Sequence, residues 1–321
     1  PSTSSKPRSW VLPDASLDLL CLGEPLMELN QVRGVEHYLP GFGGDTSNCA
    51  VAAARQGARV GYVTAVGEDT FGNAFLKLWN TEGIDTSCVL RTPDAHTGLY
   101  LVSHSKAGHE FSYFRSGSAA SRLTPEALPE NQIAATRIFH ASGISQAIST
   151  SACDAVFHAL ALAQQHRVRI SYDPNLRLKL WPLNRARAVI HEAMRQCDIA
   201  LPGIEDAKLL TGLEQPEAIV EFYLKLGAEL VALTLGPEGV LVATTEQQQR
   251  ILGYAVESVD ATGAGDTFDG AFLAELASGR DPFVAARYAN AAAALATTGY
   301  GAVAPMPTRS QVEAFLNHPN A

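Results

Sequence analysis

Val259-Asp260-Ala261-Thr262-Gly263-Ala264-Gly265-Asp266-Thr267-Phe268-Asp269-Gly270-Ala271-Phe272 is the stretch on which the reading of this chain turns. Two glycines flank an alanine and an aspartate follows at once. Thr267, Phe268, Ala271, Phe272, Leu273 and Leu276 then fall at the spacing of a buried helix. The stretch reads as a tight turn feeding a helix N-terminus. Such a turn leaves the amides of Ala264, Gly265 and Asp266 without intrahelical partners, and the helix dipole adds partial positive charge, so an anion is the natural ligand. Asp266 has two readings. It could cap the helix with its side chain, as an aspartate before a helix commonly does. Set beside an anion cradle, it could instead take the proton of a hydroxyl. A phosphate next to such a base is the minimum apparatus for moving a phosphoryl group to an alcohol.

Outward from this turn the chain alternates strands and helices. Leu17 to Leu22 suits a buried first strand of a parallel sheet, and 24–38, with Pro25 and Gly34, reads as a small antiparallel excursion. Gly41-Phe42-Gly43-Gly44-Asp45-Thr46-Ser47-Asn48 is a glycine-rich helix start, where backbone can approach a ligand or simply pack closely. A strand over 60–66, a helix over 71–81 and a strand over 88–90 follow. Segments 98–104 and 109–115 flank Ser105-Lys106-Ala107-Gly108 and predict a hairpin. With Tyr100, Tyr113 and Arg115 on one face it would make a lid over a polar ligand; a plain amphipathic hairpin is the alternative. Strands at 138–141, 168–172, 199–201 and 230–235 alternate with helices at 150–165, 184–195 and 217–226. Strands at 240–243 and 251–254 and helices at 267–277 and 283–297 complete the pattern. The expected class is α/β, a doubly wound and mostly parallel sheet with a small β-sheet lid. Residues 1–16 read as an N-terminal extension without an apolar signal core, and 17–321 as a single domain with lid insertions near 24–40 and 97–116.

Composition narrows the partners. The 321 residues carry a net charge of −9 and no long basic run, which argues against nucleic acid or an anionic membrane as partner. Five scattered cysteines, without Cys-x-x-Cys spacing, fit reduced thiols and a cytoplasmic location. No phosphate loop of the Gly-x-x-x-x-Gly-Lys-Ser/Thr kind occurs, and the Gly-x-Gly match at Gly299 follows a helix and runs into Pro305, so it carries nothing. Nor do the histidines show metal-ligand spacing.

Asp260 to Asp266, an Asp-x-x-Gly-Ala-Gly-Asp pattern, resembles the C-terminal signature of the ribokinase-like (PfkB) carbohydrate kinases, and the resemblance runs from Leu17 to Pro307. It implies a ribokinase-like fold, Asp266 as catalytic base, and Gly263, Ala264 and Gly265 as the anion hole. Gly43 and Gly44 with Asn48 resemble the family's sugar-binding signature. Thr234, Gly236, Gly239 and Asn290 resemble its nucleotide-binding parts, and Asp173 to Arg177 the segment between the two substrates. Gly23-Glu24-Pro25-Leu26, Thr97 to Tyr100, Tyr113 to Ala119, Ser142-Gly143-Ile144 and Arg177 with Trp181 are together similar to the 2-keto-3-deoxygluconate kinases of that family. Gly44, Asn48, Tyr100, Tyr113, Arg115 and Arg177 are then the implied substrate contacts, and two arginines suit a carboxylate. The rival readings are a neutral-sugar kinase such as a fructokinase and a catalytically silent sugar-binding relative. ATP and Mg2+ are implied. The family's Asn-x-x-Glu is replaced by Gly203-Ile204-Glu205-Asp206, which leaves Asp206 as the acid for water-mediated magnesium. Asp260 and Thr262, with the loop near Gly301, are the implied site for a monovalent cation such as K+. A homo-oligomer is expected.

Overall fold

The computed structural model describes residues 15–317 apart from 33–34, 36 and 106–107, so most of the expected extension over 1–16 lies outside the described residues. In chain order the elements are β1 (Leu17–Leu22), β2 (Leu26–Gln31), β3 (Tyr38–Gly43), α1 (Asp45–Arg55), β4 (Val60–Gly67), α2 (Thr70–Thr81), β5 (Val89–Thr92), β6 (Leu99–Ser105) and β7 (Gly108–Phe114). There follow α3 (Glu130–Ala134), β8 (Thr136–Ser142), α4 (Gly143–Ala147), α5 (Thr150–Gln165), β9 (Arg169–Asp173), α6 (Leu183–Met194), β10 (Ile199–Ala200), α7 (Ile204–Thr211) and α8 (Pro216–Leu226). The chain closes with β11 (Leu230–Thr234), β12 (Val240–Thr244), β13 (Gln248–Ile251), α9 (Ala264–Ala277), α10 (Pro282–Ala296) and α11 (Arg309–Asn317).

Among the described residues the large sheet has nine strands in the order β13-β12-β11-β10-β9-β8-β1-β4-β5. It is parallel from β5 to β11, and β12 and β13 are added antiparallel. The apolar run of β1 has the pattern of a strand covered on both faces. Leu19 and Cys21 enter one core cluster with α1, α9 and α10, while Leu20 and Leu22 enter the other with α5, α6 and α8. From β1 the chain goes to β4 on one side and later to β8 on the other, so the strand order reverses there. In such a sheet a crevice opens beyond the carboxyl ends of the strands at that point.

A second sheet, β3-β2-β6-β7, is built from the two excursions. Side chains alternate across it. Met27 points into the cluster that holds Phe75 and Trp79 of α2, while Leu26, Tyr100 and Val102 pack together on the opposite side. Gly270 permits the tight crossing of α9 on α1: a Cβ there would meet the Cys49 carbonyl and lie 2.6 Å from the Ala52 Cβ and 2.8 Å from the Ala53 nitrogen.

The last strand departs from expectation. A strand over 251–254 was expected, but β13 lies over Gln248–Ile251, with Gln248 to Arg250 on an exposed edge where polar side chains cost nothing. Leu252 beyond it is 73% exposed. Helices α3, α4, α7 and α11 were not anticipated; each is short, and α7 lies over the segment read only as a motif.

Candidate active site

Two helix starts meet at the crevice. Gly44 precedes α1 with φ 98°, a left-handed conformation; a Cβ there would strike the Glu24 carbonyl and the Pro25 backbone. Gly263 precedes α9 with φ 75°, and its absent Cβ would lie 3.0 Å from Ala302. These turns bring Asn48, in the first turn of α1, to Asp266, in the first turn of α9. Asn48 Nδ2 donates to Asp266 Oδ2 at 2.8 Å. No side chain caps α9, so the capping role open to Asp266 is not the one it plays.

Burial, then the charge of Asp45, push the Asp266 carboxyl up to about 7, against the opposing pull of the Asn48 donor and of Arg177. The same crowding of acids drives Asp173 and Asp269 well above the ordinary carboxylate range, with burial the larger cause. Asp45 Oδ2 accepts from Asn175 Nδ2 at 3.0 Å. Asp45 Oδ1 and Asn48 Oδ1 are buried without a partner among the described residues.

These residues line a cavity of about 1380 Å³ between the two sheets. Of the residues expected from the sequence, it gathers Gly43, Gly44, Asn48, Tyr100, Tyr113, Arg115, Arg177, Asp260, Thr262, Gly263 and Asp266. Ala264, Gly265, Asp206, Thr234, Gly236, Gly239 and Asn290 lie outside its lining. One expected amide is already engaged: Ala264 N donates to the Ala261 carbonyl at 3.2 Å, inside the turn. At Gly265 a Cβ would meet nothing within 4 Å, so the helix start is open there.

The basic residues differ in how far they are engaged. Arg115 donates Nη2 to Glu24, whose side chain is fully buried and also receives the Ser118 hydroxyl at 2.8 Å; Arg115 Nε is buried without a partner among the described residues. Arg177 is half exposed; its Nη1 donates to the Leu176 carbonyl at 2.9 Å and lies 3.9 Å from Asp206. Tyr100 donates its hydroxyl to Glu28, and burial followed by that carboxylate's charge pushes the phenol far up. Tyr113 stacks near it, with ring centroids 5.7 Å apart.

Asp206, Asn290 and Asp260 have structural partners. Asp206 accepts from the Leu176 amide at 2.8 Å. Asn290 donates to the carbonyls of Ile251 and Leu252 at 3.3 and 3.2 Å, fastening the exit of β13. Asp260 accepts from the Thr262 amide and hydroxyl at 2.9 and 2.7 Å and from the Gly301 amide at 2.9 Å, so it clamps together the two loops expected to hold a monovalent cation. Glu24, Glu28, Asp45 and Lys179 also line the cavity and were not singled out as site residues. For Glu24 the available signal was a charged residue two positions after a strand whose apolar end is buried, since such a group needs a partner.

A family model for "pfkB family carbohydrate kinase" matches residues 17–309. The chain is similar to 2-dehydro-3-deoxygluconokinase from Bacillus subtilis (strain 168), 34% identical over 311 residues that span 94% of this chain and 96% of that one. It is as similar to 2-dehydro-3-deoxygluconokinase from Thermoproteus tenax, 34% identical over 315 residues, 94% of this chain and 95% of that one. Among solved structures, fructokinase with bound ATP from Xylella fastidiosa matches with a TM-score of 0.87 at 26% identity, covering 95% of this chain and 99% of that one. A doubly wound sheet, two glycine-set helix starts and a carboxylate at their junction accord with these matches, and the chain belongs to the pfkB family of carbohydrate kinases.

Proposed function

We propose that this sugar kinase transfers the γ-phosphoryl group of ATP to a hydroxyl of a sugar acid, 2-keto-3-deoxygluconate, to give the 6-phosphate. The observation that carries the reading is the placement of Asp266, held by Asn48 at a helix start, in one cavity with Arg115 and Arg177. In the reaction the substrate hydroxyl oxygen attacks the γ-phosphorus, the bond to the β-phosphate breaks, ADP leaves, and the hydroxyl proton passes to Asp266. A carboxyl near 7 is ionised enough to accept that proton and basic enough to hold it. The open start of α9 suits the phosphate: the amides at Gly265 and Asp266 and the helix dipole offer fixed positive charge to an anion. Gly263 and Ala264 shape the turn that aims them.

Gly43, Gly44, Asn48, Tyr100 and Tyr113 would hold the sugar, with the unpartnered oxygens of Asp45 and Asn48 as acceptors for its hydroxyls. Arg115 and Arg177 would face its carboxylate. Thr234, Gly236, Gly239 and Asn290 would lie along the nucleotide. Among the described residues no three carboxylate, imidazole or thiol groups converge as metal ligands; magnesium would arrive with ATP, and Asp206, which accepts from the Leu176 amide on Oδ2, keeps lone pairs for a water-mediated contact with it. Asp260 and Thr262 would border a K+ site. Use of ATP and five free thiols suit a cytoplasmic setting; among the described residues no helix is long and apolar enough to cross a membrane.

One observation favours a neutral sugar instead: Glu24 offsets the charge of Arg115. ADP release measured with a panel of sugar acids and matched neutral sugars decides between them. Turnover led by 2-keto-3-deoxygluconate is expected, and a preference for fructose or ribose over every acid would overturn the carboxylate assignment.

A further inference from the structure

A sugar acid brings a negative charge into a cavity already lined by Glu24, Glu28, Asp45, Asp260 and Asp266, so its carboxylate must meet cations that no protein acid has taken up. Among the described residues four basic side chains line that cavity: Arg55, Arg115, Arg177 and Lys179. Arg55 is fully engaged, by Glu82 at 2.7 Å and by the carbonyls of Val303 and Met306 at 2.9 and 2.7 Å. Arg115 is paired with Glu24. Arg177 gives Nη1, 3.9 Å from Asp206, to the Leu176 carbonyl, and its other nitrogens make no hydrogen bond to a described residue. Lys179 differs from all three. Its ammonium makes no ion pair with a described residue and sits 5.9 Å from the centroid of the Phe111 ring on β7.

That position spans the cavity. Lys179 belongs to the turn after β9, on the body of the molecule, where the Leu180 amide donates to the Arg177 carbonyl at 2.9 Å. Phe111 belongs to the second sheet, where it forms an aromatic wall with Tyr113 and Tyr100 at centroid separations of 6.4 Å each. An ammonium over an exposed ring is held weakly and is readily given up to an anion. We propose that Lys179 is a specificity-determining residue: paired with Arg177, two positions away on the same turn, it reads the carboxylate of the sugar acid. Arg115, its charge offset by Glu24, would face the carboxylate with less net charge than these two. The inference rests on the sugar-acid reading and deepens it.

The test compares Lys179→Met, which keeps an apolar stem against Phe111, with Lys179→Arg, which keeps the charge. Steady-state kinetics are measured on 2-keto-3-deoxygluconate and on fructose for both variants and the wild type. For Lys179→Met, KM for the acid should rise about tenfold while kcat moves less than about twofold, and the acid-to-neutral ratio of kcat/KM should fall about tenfold. Lys179→Arg should restore KM for the acid to within about threefold of wild type. An unmoved KM for the acid in Lys179→Met, or a rise of equal factor for fructose, removes Lys179 as the reader while leaving the sugar-acid reading standing. A wild type that turns over no sugar acid removes both.

Discussion

The residue on which the proposed chemistry rests is Asp266, and its environment makes that role measurable in two ways. Its carboxyl is raised from 3.8 to about 7 by burial and by Asp45. It works as a base only when ionised, so kcat/KM should fall about tenfold per pH unit below a midpoint near 7. The linkage to stability has the opposite sense: a group that binds its proton more tightly when folded favours folding at low pH, and that contribution is lost as pH rises from about 4 to about 7. Asp266→Asn should therefore leave ATP and sugar binding near normal and lower kcat by about 10²–10⁴. The same variant should unfold at higher urea than wild type at pH 8, with no such gain at pH 4. Near-normal turnover in that variant would take Asp266 out of the mechanism. Arg177→Lys keeps a charge and loses the planar fork. It should cost about 10–100-fold in the acid-to-neutral ratio of kcat/KM, a charge-assisted hydrogen bond being worth about 1.5–3 kcal/mol; an unchanged ratio would return Arg177 to a structural role.

At the scale of elements, the candidate active site lies at the contact between α1 and α9. Asn48 and Asp266 meet because Gly270, one turn beyond Asp266, lets α9 lie against Cys49, Ala52 and Ala53 of α1. The obstacle a Cβ would meet includes backbone, which cannot rotate away. Gly270→Ala should therefore push the helices apart, cost about 1–3 kcal/mol in urea unfolding, and lower kcat by about tenfold or more through a misplaced Asn48–Asp266 pair. Wild-type kcat with reduced stability would separate the packing from the catalysis. Much of this layer was legible in the sequence. The apolar runs of β1 and β11 read as buried strands, and Gly-Ala-Gly-Asp could be read as a helix start. β13 was not legible, because an edge strand tolerates Gln248, Gln249 and Arg250 and so lacks the apolar signal. The pairings were not legible either. Asn48 and Asp266 lie 218 positions apart, Glu24 and Arg115 91, and a single sequence carries no distance between such elements. That is why Arg115 read as a free fork, and why Lys179, in a solvated turn, drew no notice.

On the scale of the whole molecule, the cavity is closed on one side by the nine-stranded body and on the other by the four-stranded sheet. The body side is anchored in two core clusters that together cover both faces of β1. The lid side is held differently. Its hairpin of β6 and β7 ends the sheet order, and β7 is an edge strand with one row of backbone groups unpaired within that sheet. Phe111 and Tyr113, the aromatic residues facing the cavity from β7, remain 43% and 44% exposed, and Phe114 is 55% exposed. A sugar bound between Asn48 and these rings would bury them. The amides of β6 and β7 should therefore exchange more slowly with solvent deuterium once sugar is added, and more slowly still with sugar and a non-hydrolysable ATP analogue together, while those of β1 and β8 stay as they were. Leu39, 62% exposed on the opposite edge strand β3, adds to an apolar rim that a second copy of the chain would cover, so sedimentation at micromolar concentration should give a homo-oligomer. A strictly monomeric species whose lid amides exchange at the same rate with and without sugar would contradict both expectations. The aromatic wall would then be a fixed part of the sugar pocket, formed before substrate arrives.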